Sequence, residues 1–364
     1  MIARAALCVV DYGEADSGGG AVGEKEDDEL SERLYKALLL DYPDHEPGTR
    51  PVHAVGIGAE GYFVPTDAAR TFSCAPQFAG PSVPVTVRFS NGTGSPIEHD
   101  DALDVRGMAA KFHLNDGVDA DLIMITLPVF FAQTPEDFLG FALAGVPRFD
   151  PLPSWWQRLL DKLMLRPDPT RPDPKNPDDG SPGVLTFANR HVSARAGTIA
   201  ALMLVTPTSY ARATYHALHT FKVTNADKLV RYVRLSWEPV AGVRPVGDAN
   251  VPEDYLHIEL GERLKQGPAR FVLRMIVAGQ GDALDDPTKL WDTTRLRVVL
   301  GELFLTRLVE DQETQCEKLS FNPTRVLEGL ECSDDPILAA RRGAYEYSCR
   351  LRSGTGCPVG GDWR

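Results

Sequence analysis

Leu30, Leu34, Leu38 and Leu39 recur at the spacing of one helix face, with Asp28 or Ser31 ahead of them as a cap and Pro43 as a stop. Past Pro43 the texture changes to short alternating or apolar runs at 83–89, 108–114 and 122–126, broken by Gly, Pro and Asn. These are predicted strands of a twisted antiparallel sheet. A second set of strand-like runs follows at 232–238, 257–260 and 271–277, with helical stretches between, one of them over 209–221. Residues 151–165 read as a short amphipathic helix, and the proline-rich stretch 166–183 as an irregular surface loop. From 331 to 352 the pattern returns to helix, with Ser333, Asp334 and Asp335 before Pro336 at the first turn. The class is α+β, a mostly antiparallel sheet with a helical C-terminal part. Neither a repeat nor a linker divides two cores, so residues 29–364 are expected to form a single domain. Residues 1–28, with three consecutive glycines and a run of acids, are expected to be a flexible acidic arm.

Composition narrows the function classes. The chain has 364 residues, 43% hydrophobic and 24% charged, which is ordinary for a folded globular protein. Its net charge of −13, with no basic cluster to override it, disfavours nucleic acid and anionic membrane surfaces as partners. The longest apolar run, 122–132, is too short to span a bilayer and contains Pro128, so no membrane span is expected. The N-terminus lacks a convincing cleavage signal, and the six cysteines are scattered without a Cys-x-x-Cys pair. A cytoplasmic protein with free thiols is expected.

Three short motifs carry little. Gly56-Ile57-Gly58-Ala59-Glu60-Gly61 matches a dinucleotide-binding pattern, but the strand-like Tyr62-Phe63-Val64-Pro65 follows where a helix is required. His216 and His219 sit three apart without a carboxylate or Cys to complete a metal set, and are read as surface or packing residues. Asn91-Gly92-Thr93 is read as a turn rather than a glycosylation site.

Six collinear blocks carry more. RPVHAVGIGAEGYF (50–63), RFS (88–90), DVRGMAAKF (104–112), DLIMITLPVFF (121–131), DDPTKLW (285–291) and DPILAARRGAYEYSCRLR (335–352) follow one another along most of the chain. In order and approximate spacing they resemble the haem catalase family, and the short chain resembles its small catalase-related peroxidases. The resemblance implies a catalase-like core, an antiparallel β-barrel of about eight strands with haem b between barrel and helices.

It also implies roles for individual residues. His53 matches the distal acid–base histidine, and Ser90 the hydroxyl that orients its ring. Tyr345 matches the axial iron ligand, with Arg341 one helical turn earlier to stabilise the phenolate; Tyr347 and Arg342 are local competitors that break the R-x-x-x-Y spacing. Arg50, Arg88 and Arg352 match the partners of the haem propionates. Phe138 matches the ring that stacks on the porphyrin, and Val52 and Phe131 the distal lining.

The departures bear on activity. Where catalases carry an amide that bonds peroxide, this chain is read as placing Thr126, with Ile125 before it, and Cys349 replaces a helix histidine. A hydroxyl is a shorter donor than the amide. The implied function is a haem peroxidase with weak dismutation, taking hydrogen peroxide or small organic peroxides and an organic reductant. Two alternatives are conversion of a lipid hydroperoxide, as in catalase-related allene oxide synthases and lyases, and haem binding without catalysis. The synthases carry Thr where this chain has Val52. A homodimer is expected, since small members lack much of the arm that interlocks catalase tetramers.

Overall fold

The computed structural model describes residues 20–42, 45–46, 48–114, 117–145, 184–247 and 250–353. Both the amphipathic helix expected at 151–165 and the surface loop at 166–183 lie outside the described residues. The first helix, α1 (Gly20–Asp41), begins earlier than the leucine repeat implies and takes in residues 20–28. Polar and acidic residues without an apolar stripe gave no periodic signal there, yet a helix needs no such stripe to propagate once nucleated.

The sheet follows as β1 (Gly56–Pro65), β2 (Val83–Asn91), β3 (Arg106–His113), β4 (Asp119–Ile125), β5 (Tyr215–His216), β6 (Phe221–Thr224), β7 (Val230–Pro239), β8 (Ala269–Val277), β9 (Arg297–Leu308) and β10 (Leu330–Cys332). Eight of these close on themselves: β1-β2-β3-β4-β5-β7-β8-β9 and back to β1, every pair antiparallel. β6 and β10 extend from one end of β7. Closure removes the free edges that an open sheet would expose.

Alternation decides what fills the barrel. In β2, Val83, Val85, Val87 and Phe89 join the interior cluster, so Thr86, Arg88 and Ser90 face outward. Phe63 stands at the centre, edge-on to Phe112 and Trp237 at 5.5 and 5.9 Å between ring centroids. Truncating a ring buried like this costs about 3–5 kcal/mol. The glycines of the 56–61 motif serve packing within β1: a Cβ at Gly61 would lie 1.8 Å from the Phe304 carbonyl oxygen, and one at Gly58 2.6 Å from Cys316 Sγ.

Helices pack against the barrel, some onto its core and others in a second cluster outside it. They include α2 (Asp67–Phe72), α3 (Pro76–Ala79), α4 (Pro135–Gly145), α5 (Val184–Arg190), α6 (Val192–Leu202), α7 (Tyr255–Gln266) and α8 (Pro336–Ser353). Leu34 of α1, Phe138 and Leu139 of α4 and Ile337 of α8 form a second apolar cluster against Ile125 and Leu127. The functional cavity lies between this cluster and the barrel wall.

Two elements differ from the sequence pattern. Residues 257–260 alternate like a strand but lie in α7, where Leu256, Leu260 and Leu264 are buried at the four-residue helical spacing. Residues 209–221, read as a helix, form instead a short 3₁₀ turn (Tyr210–Arg212) and the two-residue β5. Ser209 accepts a hydrogen bond from the Ala211 N–H, and Leu218 takes the left-handed φ of +67°, which ends any helix.

Candidate active site

Four neighbouring strands build one wall of the cavity by register. Gly56 pairs with Ser90, Ser90 with Gly107 and Gly107 with Ile125. One row therefore presents Ser90, Gly107 and Ile125 on the same outer face. His53 lies over it, at the left-handed φ of +56° with its backbone N–H on the Gly92 carbonyl at 3.1 Å. That conformation is costly for a residue with a Cβ and persists only where surroundings impose it.

Ser90 Oγ stands 3.0 Å from His53 Nδ1 and so fixes the ring, leaving Nε2 as the nitrogen available for acid–base work. Gly107 is what makes room: a Cβ there would meet Ser90 Oγ at 2.6 Å and His53 Nδ1 at 2.9 Å. Burial, reinforced by the Arg88 charge, holds the imidazole pKa down at about 4. His53 is thus a neutral base at physiological pH. The acid limb of kcat/KM for peroxide is expected near pH 4, where His53 gains its proton, and a limb near its ordinary 6.5 would contradict this.

Across the cavity, α8 presents Tyr345. Arg341, one turn earlier, donates from Nη2 to the Tyr345 oxygen at 3.3 Å and from Nη1 to His219 Nε2 at 2.7 Å. His219 must then carry its proton on Nδ1, which lies 2.6 Å from Asp335 Oδ2. The other Asp335 oxygen accepts the Ile337 N–H at 2.9 Å and caps the helix. Burial lowers the His219 pKa although the Asp335 bond opposes it, in keeping with a neutral ring. An Asp335–His219–Arg341–Tyr345 chain therefore locks the guanidinium at the phenol. His219 is neither at the surface nor mere packing, as its spacing from His216 had implied.

Arg50, Arg88 and Arg352 converge from three elements at the cavity's edge. They meet Glu317, which the sequence blocks did not flag. Arg88 binds its carboxylate through Nε and Nη2 at 2.8 and 3.0 Å, Arg50 binds the same carboxylate, and Arg352 donates to the Glu317 carbonyl at 3.1 Å. Burial and the neighbouring guanidiniums push the Arg50 pKa well down, and burial lowers that of Arg352. One carboxylate does not balance three guanidiniums, and among the described residues Arg352 Nε is buried without a hydrogen-bond partner. The cluster is built to receive further anionic groups.

Val52, Phe131 and Phe138 also line the cavity, which encloses about 350 Å³ among predominantly apolar side chains. Phe138 meets Phe131 and Phe130 edge-on at 5.7 and 5.2 Å. Thr126 is the expected site residue that does not line it. Its N–H donates to the Arg106 carbonyl and its Oγ1 accepts the Arg106 N–H, both at 3.0 Å, so the hydroxyl is engaged with backbone beyond the end of β4. Ile125, the last residue of β4, lines the cavity in its place.

Tyr347, the competitor to Tyr345, is absent from the lining and packs on Tyr35 of α1. Cys74, Cys316 and Cys332 are free, whereas Cys349 is disulfide-bonded, against the expectation of free thiols throughout. Among the described residues, no trio of His, Cys, Asp or Glu is placed to hold a bare metal ion, and no helix is long and apolar enough to cross a membrane.

The cavity lies outside an eight-stranded barrel, with a buried neutral histidine on one side and an arginine-bound tyrosine on the other. The family model described as Catalase matches residues 40–148 and 185–357. The chain belongs to the catalase family. It is 36% identical over 85% of its length to a "Catalase-related peroxidase" of Mycolicibacterium paratuberculosis (strain ATCC BAA-968 / K-10), covering 90% of that protein. It is 32% identical to another of that name from Synechococcus elongatus (strain ATCC 33912 / PCC 7942 / FACHB-805), covering 84% of each. A fungal catalase crystal structure superposes with a TM-score of 0.66 at 23% identity, over 85% of this chain and 60% of that one. The chain is an oxidoreductase of this family.

Proposed function

We propose that the protein is a haem b peroxidase that reduces hydrogen peroxide or small organic peroxides at the expense of an organic donor, with little dismutation. A haem fits the residues present. The cavity is predominantly apolar, with Phe131 and Phe138 in its wall, and the two uncompensated positive charges of Arg50, Arg88 and Arg352 suit the two propionates of protoporphyrin. Tyr345 would hold the iron, an anionic oxygen ligand that favours the ferric state. When bound, the group supplies the iron at which peroxide is reduced and stores the oxidising equivalents.

The chain's own residues do the rest. His53, neutral at Nε2, takes the proton from the near oxygen of a peroxide and returns it to the far one, so that water or an alcohol leaves rather than an anion. Ser90 holds the ring through this exchange. On the other side, the His219-locked guanidinium of Arg341 sets its positive charge against the Tyr345 oxygen.

The observation that carries the peroxidase preference is Ile125 in the row with Ser90 and Gly107. Dismutation needs a second peroxide held beside His53, and an alkyl side chain donates no hydrogen bond to it. Donor oxidation does not require that contact. In one peroxide solution, donor oxidation is expected to exceed oxygen release at least tenfold, and Ile125→Asn to raise oxygen release by about an order of magnitude. Oxygen release outpacing donor oxidation in the unaltered protein would reject the preference. Conversion of lipid hydroperoxides has no observation in its favour here.

A further inference from the structure

We infer that Tyr347 is a second, surface site of donor oxidation, coupled to the cavity through the ring of Tyr35. Tyr35 lines the cavity from α1 and is 8% exposed. On its other side its ring meets that of Tyr347, 5.3 Å away between centroids at an interplanar angle of 59°. Tyr347 is partly exposed, and the Arg350 guanidinium lies 5.6 Å from its ring.

The helix geometry makes this arrangement. Tyr345 and Tyr347 are two residues apart on α8, so when Tyr345 faces the cavity Tyr347 points to nearly the opposite side. α1 packs against that side and bridges the two directions with one aromatic ring. Two rings in van der Waals contact thus run from the cavity wall to solvent, and both are phenols, side chains readily oxidised by one electron. A donor too bulky to reach the haem inside its cavity delivers its electrons at the end of this pair. The class indicated is a large aromatic reductant.

This inference rests on the peroxidase reading, because the oxidising equivalents come from peroxide. In each round one electron passes from Tyr347 through the Tyr35 ring to the oxidised cofactor, and the Tyr347 O–H proton leaves to solvent. The donor then returns a hydrogen atom to the Tyr347 oxygen, re-forming the O–H bond, and departs oxidised by one electron. Two rounds match the two electrons taken up by one peroxide.

The test uses the haem-loaded protein and hydrogen peroxide, with Reactive Black 5 as the bulky donor and guaiacol as the small one. Electron paramagnetic resonance after peroxide in the absence of donor should show a tyrosyl signal. Tyr347→Phe is expected to lower that signal and dye oxidation at least fivefold while changing guaiacol oxidation less than twofold. Tyr347→Trp should restore at least half the dye rate, and Tyr35→Leu, checked for an unchanged haem spectrum, should lose it. Dye oxidation and radical signal unchanged in Tyr347→Phe would overturn the inference. An unaltered protein that oxidises neither donor would instead strike the peroxidase reading itself.

Discussion

Tyr345→Phe is expected to abolish tight haem binding, with the peroxidase activity falling in proportion. The substitution removes a single oxygen and leaves ring packing in α8 intact, so any loss reports on the ligand rather than on the fold. Removing only a hydrogen-bonding partner of a ligand typically costs about 10–100-fold in affinity; deleting the ligand itself should exceed that. The measurement is a haem titration followed by absorbance, with Tyr347→Phe as the matched control. Tyr347 packs against Tyr35 outside the cavity lining, so its variant should titrate as the unaltered protein does. The reverse pattern would move the ligand to Tyr347.

His53→Leu is expected to retain haem but to slow peroxide reduction by about 10²–10⁴-fold, the usual worth of a positioned acid–base group. Leucine fills similar space in a wall that already carries Val52 and Ile125. Ser90→Ala should have a smaller effect of the same kind, since it frees the ring without deleting it. Stopped-flow mixing of the haem-loaded variants with peroxide separates this step from donor oxidation. A His53→Leu rate within a factor of three of the unaltered protein would remove the histidine from the chemistry.

Much of the fold is legible where a pattern has one physical meaning. The runs at 83–89 and 108–114 alternate because one face fills a barrel, and the capped, proline-started segment after Asp335 could only open a helix. Closure of the barrel came from resemblance, since local alternation does not say which strands meet. The helical start at Gly20 was hidden because propagation along a polar stretch leaves no amphipathic trace. His257 and Ile258 alternate as a strand would, and only the longer Leu256, Leu260, Leu264 repeat reveals α7.

The site was legible to the extent that its residues fall within short quoted blocks. Ten of the expected positions line one cavity; the eleventh, Thr126, lies one residue from the position that does. This smallest possible misalignment exchanges a hydroxyl tied to the Arg106 backbone for an alkyl wall. Pairing Gly107 with Ser90 on one side and Ile125 on the other is a register fact, available only once strands are paired. Glu317 lies far along the chain from Arg50 and Arg88, and nothing local marks it as their counter-ion. His219 and Asp335 were visible, one as half of a metal-like spacing and the other as a cap. Their joint hold on Arg341 depends on the 3₁₀ turn and β5 that replaced a predicted helix.

The placement of a haem between His53 and Tyr345 is tested most directly by titrating ferric protoporphyrin IX into the purified protein and recording its absorbance. Saturation at one haem per chain with a sharp Soret band characteristic of a phenolate-ligated ferric centre is the expected result. A featureless spectrum, or binding that does not saturate at one equivalent, would contradict it.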